Sequence, residues 1–562
     1  MDRLLCQLCA LCLCAGVLAS EKPNIVIFLV DDLGIGDIGA FGNDTLRTPH
    51  VDSICENGVK LDHDLAAASL CTPSRAALMT SRYAIRTGMS SVITSLMSPQ
   101  GLPTSEHTLP QMLQEKGYAT ALIGKWHLGW NRQLLDQYYS PLKRGFDYFF
   151  GLPLSNVKDF GGKQEIMVDI GFTGKLYKLS AICLSTSLIL SRLINKKIGV
   201  TMTIMSLILI GNFLFAFKTY GIWNSALIRN DRIVEMPLNL TSITQRLIEE
   251  GQNFIKSQHA AEKPVFLFMS WLHVHTYMHP QPPFKGASQH GPYGDAVEET
   301  DWAVGQIMDT LKQLQILDNT LFYFSSDHGG DKLEHDEEGR LVGGWNGLFR
   351  GNKGDGSQEG GIRVPTCVQW PAKLPRRTLV SEPTSQLDLM PTLASIVGGR
   401  MSTVRSIDGK DILPLLTGDE TRTPHDFIFH YTGDKLSAIR YMPEESGAVF
   451  KLHYVWPQWE PGTDSWASIG AAVFDGPILL PNPLLFDVAR DPREETPLDT
   501  NIEPYASIVK CIEEAKLNHE RSLIGARPNY KPNPLEFINP LRSTFVDYAW
   551  QKLSDYWSYL IQ

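Results

Sequence analysis

The chain has 562 residues and a net charge of −10, with 43% hydrophobic and 20% charged residues. That length and balance suit a globular protein with a large core and more than one domain. The acidic excess speaks against nucleic acid as a partner, because phosphate binding needs clustered basic side chains.

The chain opens "MDRLLCQLCALCLCAGVLAS", with one arginine, a short apolar run and small residues at its end. Residues 1–19 therefore read as a signal peptide removed on entry to the secretory pathway. Four of the nine cysteines leave with it, and Cys55, Cys71, Cys183, Cys367 and Cys511 remain. The set is odd and sparse, so no disulfide framework is expected to hold the fold. Asn-Xaa-Thr sequons at Asn43 and Asn239 fit secretory entry as glycosylation sites.

Four apolar runs read as strands buried on both faces: "PNIVIFLV", "YATALIG", "PVFLFMSWL" and "TLFYFSS". They alternate with helical stretches such as 300–314, which predicts a largely parallel α/β sheet. Each run ends in groups that carry chemistry: Asp31-Asp32, Lys125-Trp-His127, His273-Val-His275 and Asp327-His328. Ligands of such sheets bind at the carboxyl ends of the strands, so these residues are expected to share one site. Acidic groups there suit a hard cation, and Lys, His and Arg suit an anion beside it.

Between the first two runs, "SLCTPSRAALMT" places Cys71 at a helix start, with Pro73 in the first turn and Arg75 on the same face. An unpaired thiol at a helix N-terminus is well placed to meet an anion, though a small buried hydrophobe is the commoner reading. Residues 198–217 hold no charge, and 176–194 is apolar apart from Lys178 and Arg192 near its ends. With three residues between them, the two segments read as an antiparallel transmembrane hairpin over 176–217, flanked by Tyr177, Tyr220 and Trp223. A signal peptide would leave both large segments lumenal. After the fourth strand, "GGWNGLFRGNKGDGSQEGGIRVP" reads as a glycine-rich active-site loop carrying Lys353. "QLDLMPTLASIVG" reads as a helix closing a catalytic domain over 20–424. The short strands "FIFHY" and "FKLHYVW" and a helix near 505–515 read as a smaller antiparallel domain over 425–562.

These residues resemble the sulfatase family. "CTPSR" at 71–75 matches its modification motif and "GYATALIGKWH" at 117–127 its second signature, with Asp31, Asp32, His275, Asp327 and Lys353 in family order. The hairpin narrows the resemblance to the steroid sulfatase-like membrane branch. The resemblance implies an alkaline phosphatase/sulfatase-like α/β fold with a smaller C-terminal domain. It implies hydrolysis of aryl or steroid-like sulfate esters in the membrane of the endoplasmic reticulum or Golgi. It further implies that formylglycine-generating enzyme converts Cys71 to formylglycine, whose hydrate has one hydroxyl to attack sulfur and a second to release sulfate. Asp31, Asp32, Asp327, His328 and the modified Cys71 would hold one Ca2+. Arg75 and Lys125 would orient the nucleophile and the anion, His127 would take a proton, and His275 with Lys353 would serve the leaving oxygen. Lys125, His275 and Lys353 would also bind the substrate's sulfate. His273 would be the structural half of the His273/His275 pair.

Two positions depart from the pattern. His328 stands where the family has Asn or Gln, and calcium prefers oxygen. Ser81 stands where Gly is usual, a substitution that costs about 1 kcal/mol if the residue is left-handed. These departures motivate the alternative of a non-catalytic membrane glycoprotein that keeps the fold.

Overall fold

The computed structural model describes residues 22–529, apart from 131–138, 157–180, 190–195, 212–224, 336–340, 445–446, 456–472, 474–475 and a few single positions. The signal peptide read at 1–19, Cys183 and much of the hairpin lie outside the described residues.

Strand β1 (Asn24–Val30) shows why the apolar runs become strands. Ile25, Ile27 and Leu29 enter one hydrophobic cluster, while Val26, Phe28 and Val30 enter another on the opposite face. A segment apolar at every position suits the middle of a sheet covered on both sides. The large sheet comprises β1, β2 (Val59–Leu65), β3 (Ala119–Lys125), β4 (Tyr148–Leu152), β5 (Leu227–Arg229), β6 (Arg232–Glu235), β7 (Val265–Ser270), β8 (Thr320–Ser326), β9 (Arg363–Gln369), β10 (Thr378–Val380) and β11 (Thr384–Ser385). Its order is β10-β2-β9-β8-β1-β7-β3-β4-β5-β6, with β11 beside β2.

The central strands β8, β1, β7, β3 and β4 pair in parallel. Their register sets Leu29 opposite Ser270, Val30 opposite Ser326, and Gly124 opposite Ser270. Residues 31, 125, 271 and 327 therefore leave the sheet in one row. The sheet is mixed, however, because β9 runs antiparallel to β8 and β2, and β5–β6 forms an antiparallel edge. A parallel return is usually made through a crossover helix, and the described part of the segment between β8 and β9 holds only the short helix Glu359–Ile362.

Helices α1 (Pro49–Glu56), α4 (Ile243–Ala260) and α5 (Gly291–Gln313) cover one face. Helices α2 (Cys71–Thr80), α3 (Leu109–Glu115) and α6 (Leu389–Val397) cover the other. The helix expected at 300–314 begins earlier, since Tyr293, Ala296 and Val297 already carry a buried helical stripe.

The second sheet is fully antiparallel, β12 (Phe427–Thr432), β13 (Lys435–Tyr441), β14 (Phe450–Val455) and β15 (Leu479–Asp487), with α7 (Tyr505–Ser522) packing through Ile512. Its junction with the large sheet is ionic as well as apolar. Buried Glu359, just before β9, accepts from Arg440 of β13 and from Lys451 of β14 at 2.7 Å.

Two expectations change. Cys55 of α1 is disulfide-bonded to Cys367 of β9, 312 residues away, so one covalent tie joins a covering helix to an inner strand of the sheet. Sparse spacing hid it, because only the fold brings these two cysteines together. Of the hairpin, residues such as 199–208 are helical and expose Val200, Ile204, Met205 and Leu207. Among the described residues, no helix is long and apolar enough to cross a membrane.

Candidate active site

At the end of β1 the chain turns through Asp32, whose φ of 62° aims it away from the path of Asp31. Asp31 is wholly buried. Its Oδ2 accepts from Lys125 Nζ at 2.6 Å, and its Oδ1 from Arg75 Nη2 at 3.3 Å. Arg75 also donates from Nε to Asp327 Oδ2 at 2.9 Å and from Nη1 to Ser270 Oγ at 2.6 Å. One guanidinium fork thus ties the ends of β1, β7 and β8 together. Arg75 reaches them because α2 begins at Cys71 and brings it round one turn later on the same face. Ser74 Oγ donates to Asp327 O at 2.6 Å and fixes that turn to the end of β8.

Cys71 Sγ lies 3.4 Å from His328 Nε2. The same nitrogen is 3.2 Å from Asp32 Oδ1 and 3.5 Å from Asp327 Oδ1. Its ring partner Nδ1 pairs with Gly329 O at 2.8 Å, which leaves Nε2 facing the carboxylates. Asp31, Cys71, Asp327 and His328 each offer a ligand atom, all within 4.8 Å of one another. Lys353 arrives from the glycine-rich loop and ion-pairs with Asp32 Oδ2. The loop is pinned by Gly354 N to Ser69 O at 2.8 Å, with Gly354 at a φ of 89° that only glycine adopts freely.

Charge balance dominates this pocket. Burial alone would raise the Asp31 carboxyl, but Lys125 and Arg75 hold it well below the usual range. Asp32 is lowered as well, since Lys353, His275 and His328 outweigh its burial. Burial wins at Asp327, which is raised despite His328 and Arg75. Against its own burial, His328 is pushed up to about 10 by Asp327 and its neighbours. His127 and His275 go the other way. Burial, helped by Lys125, takes His127 well below the imidazole range, and burial with Lys353 takes His275 to about 4.

The two low histidines have assigned tautomers. His127 Nε2 pairs with Ile93 O at 2.8 Å, so its Nδ1, buried without a hydrogen-bond partner, carries the lone pair. Thr72 Oγ1 donates to His127 O at 2.9 Å, linking it to the residue after Cys71. His275 Nδ1 pairs with Thr276 O at 2.8 Å, and its Nε2 lies 3.9 Å from Asp32 Oδ2. His273 turns elsewhere, to Thr244 Oγ1 at 2.9 Å.

The structure thus brings together Asp31, Asp32, Cys71, Arg75, Lys125, Asp327, His328 and Lys353, with His275 beside them and His127 joined through Thr72. Sequence reading missed Ser270, which braces Arg75, and Gln386, whose Oε1 accepts from Ser74 Oγ at 3.2 Å. A polar residue closing an otherwise apolar strand was the available signal for Ser270. The two sequons divide. Asn43 is buried, and its Nδ2, the atom a glycan joins, donates to Gly36 O at 2.8 Å while Oδ1 accepts from Thr45 and Leu46. That side chain is committed to a turn. Asn239 is exposed.

A family model described as Sulfatase matches residues 23–399, and one described as the C-terminal region of aryl-sulfatase matches residues 423–541. The chain belongs to the sulfatase family. It is 40% identical to human steryl-sulfatase over 90% of this chain and 89% of that protein. It is also 40% identical to human arylsulfatase H, over 90% of this chain and 92% of that one. Among solved structures, the PsFucS1 sulfatase of Pseudoalteromonas sp. superposes with a TM-score of 0.69 at 24% identity, covering 91% of this chain and 92% of that one. That likeness concerns the fold. As a sulfatase, the chain is a sulfuric ester hydrolase.

Ser81 ends α2 in the left-handed conformation, φ 56° and ψ 32°, and its Oγ donates to Leu387 O at 2.7 Å. The hydroxyl thus offsets part of the strain that Gly would avoid. Ser81→Ala keeps the strain and loses the bond, so it should destabilise the fold by about 1 kcal/mol. Ser81→Gly loses the bond but relieves roughly 1 kcal/mol of strain, and should unfold close to wild type. Equal losses in both variants, measured by denaturant unfolding, would contradict this account.

Proposed function

We propose that this sulfatase hydrolyses small aryl or steroid-like sulfate esters with Cys71 as formylglycine and one Ca2+ held by Asp31, Asp32, Asp327, residue 71 and His328. The observation that carries the reading is the convergence of three carboxylates and Cys71 at the start of α2, braced by Arg75 and Lys125. The relatives named steryl-sulfatase and arylsulfatase support the substrate class.

The donor set fits a calcium ion. Three carboxylates supply the oxygen chemistry calcium prefers, and buried Asp32 Oδ1, 3.2 Å from His328 Nε2, accepts no other hydrogen bond among the described residues. Bound there, the cation would neutralise the sulfate and acidify the attacking hydroxyl. The residues do the rest. Arg75 and Lys125 hold the carboxylates in place, and Lys125 and Lys353 face the sulfate's charge. Neutral His127 offers a lone pair at Nδ1 to take the proton when sulfate is released. His275 has its lone pair at Nε2 and a pKa of about 4, so it accepts a hydrogen bond from the product alcohol once the leaving oxygen has gained its proton. Lys353, whose pKa is raised well above normal chiefly by Asp32 after burial is overcome, stays charged and is the better proton donor to the leaving oxygen.

The modification of Cys71 calls for formylglycine-generating enzyme as a partner. Residues 176–217, largely apolar and mostly exposed where described, support an anchor in the endoplasmic reticulum or Golgi bilayer, with the catalytic domain lumenal and Asn239 available for glycosylation. The domain limits 20–424 and 425–562 belong to the same proposal.

Two experiments test this reading. The peptide containing Cys71 should be lighter than its thiol form by the difference between a thiol and an aldehyde, and the protein should turn over an aryl sulfate repeatedly. Cys71→Ser should release at most one alcohol per molecule, since a serine ester has no second hydroxyl to expel sulfate; steady turnover by this variant would refute the mechanism. The second concerns His328. Its raised pKa means that the proton it binds stabilises the fold below the ordinary imidazole range, and that this contribution fades as pH rises toward about 10. Calcium competes with that proton, so wild-type affinity should rise with pH. His328→Asn should bind calcium severalfold more tightly at neutral pH, with a flatter pH dependence. Weaker binding by the variant in calcium titrations would mean that the imidazole is an adapted ligand.

A further inference from the structure

Asp37 lies at the end of the turn that follows Asp32, and it is 2% exposed. Every group that meets its carboxylate is a donor. Gly34 N reaches Oδ2 at 3.0 Å, Tyr293 Oη reaches Oδ2 at 2.6 Å, and Trp345 N reaches Oδ2 at 3.0 Å and Oδ1 at 3.2 Å. These donors come from three parts of the chain: the turn after β1, helix α5, and the glycine-rich loop. Gly36 N returns a bond to Trp345 O at 2.8 Å. Side chains are excluded from this junction, since a Cβ on Gly34 would stand 2.3 Å from Trp345 O, and one on Gly344 2.7 Å from Tyr293 Oη.

The junction leads to both sides of the site. Gly34 is two residues from Asp32. On the other arm, Asn346 Oδ1 accepts from Gly330 N at 2.8 Å, and Gly330 O accepts from Lys353 N at 3.3 Å. The two partners of the Asp32–Lys353 ion pair therefore hang from one carboxylate.

We propose that Asp37 and Tyr293 are positioning residues that latch the glycine-rich loop to the β1 turn, and so set Asp32 and Lys353 for calcium and sulfate. This rests on the sulfatase reading above. A carboxylate accepts from all its donors at once, whereas a protonated carboxyl brings its own hydrogen against them and loosens the latch. From α5 only Tyr293 faces it, from the turn the backbone of Gly34, and from the loop the backbone of Trp345; Asp32 acts on the Tyr293 hydroxyl. Burial raises Asp37 to about 7 despite its donors. The latch is formed above that range and lost as pH falls through it.

The test uses the full-length protein and Tyr293→Phe, which keeps the ring and removes one donor from the carboxylate. Two profiles are measured across neutral pH: kcat/KM for an aryl sulfate, and the rise in Tm produced by calcium chloride over a chelator. Loss of one hydrogen bond to a carboxylate should move the acid limb of both profiles upward by about one pH unit. In Asp37→Asn the step near pH 7 should vanish from both profiles, with kcat/KM reduced, while the gain in calcium stabilisation toward about pH 10 that His328 sets should remain. A merely structural role would lower Tm in both variants and leave the limb of the folded enzyme where it is. Superimposable acid limbs for wild type and Tyr293→Phe overturn the proposal, even if Asp37→Asn does not fold. Should wild type hydrolyse no sulfate ester, the sulfatase reading fails, while the calcium profile still decides the latch.

Discussion

Three carboxylates, those of Asp31, Asp32 and Asp327, share a buried pocket at the carboxyl ends of β1 and β8, and like charges at that spacing repel strongly. The remainder of the site answers this one constraint. Arg75 bridges Asp31 and Asp327, Lys125 pairs with Asp31, and Lys353 pairs with Asp32. Each cation comes from a different element, so the compensating charges also tie α2, the end of β3 and the glycine-rich loop to the turn after β1 and the end of β8. Removing any one of them would leave a buried carboxylate with less compensation, and such a loss costs more than the pair contributes.

The same logic acts at the junction of the two sheets. Glu359 receives Arg440 and Lys451 from the small sheet, and Lys451 also reaches Glu494 at 2.8 Å. Two cations are needed because burial would otherwise raise Glu359, which they hold well below the usual carboxylate range. Since Glu359 closes the glycine-rich loop, the small domain bears on where Lys353 stands. Gly356 N, bonded to Thr432 Oγ1 of β12 at 3.1 Å, strengthens that link.

Much of the catalytic half was legible in the sequence. Runs such as residues 25–30 are apolar at every position, which suits a doubly covered strand, and their ends named the residues that converge. That Cys71 and Arg75 share a helix face followed from spacing, while their place in the site came from the strand ends and the "CTPSR" motif. Other parts depend on what the fold brings together. The Cys55–Cys367 bond joins elements 312 residues apart, and neither flank announces it. The antiparallel return of β9 is set by a loop without periodicity. Asn43 satisfies a sequon, yet its amide is needed by a turn. The tautomers of His127 and His275 depend on carbonyls at Ile93 and Thr276, which no local pattern announces. Asp37 was silent because an acidic residue in a glycine-rich turn reads as solvated until its donors are seen.

The central claim is that the carboxylate cluster is organised for a divalent cation, with the lysines and Arg75 as its frame. The most direct measurement is the Tm of the purified full-length protein in calcium and in chelator, for wild type and for Asp327→Asn. The account predicts a clear rise with calcium in wild type, and a much smaller one in the variant, because binding to the folded state alone stabilises it. Identical melting in calcium and chelator for wild type, or an undiminished rise in Asp327→Asn, would contradict it.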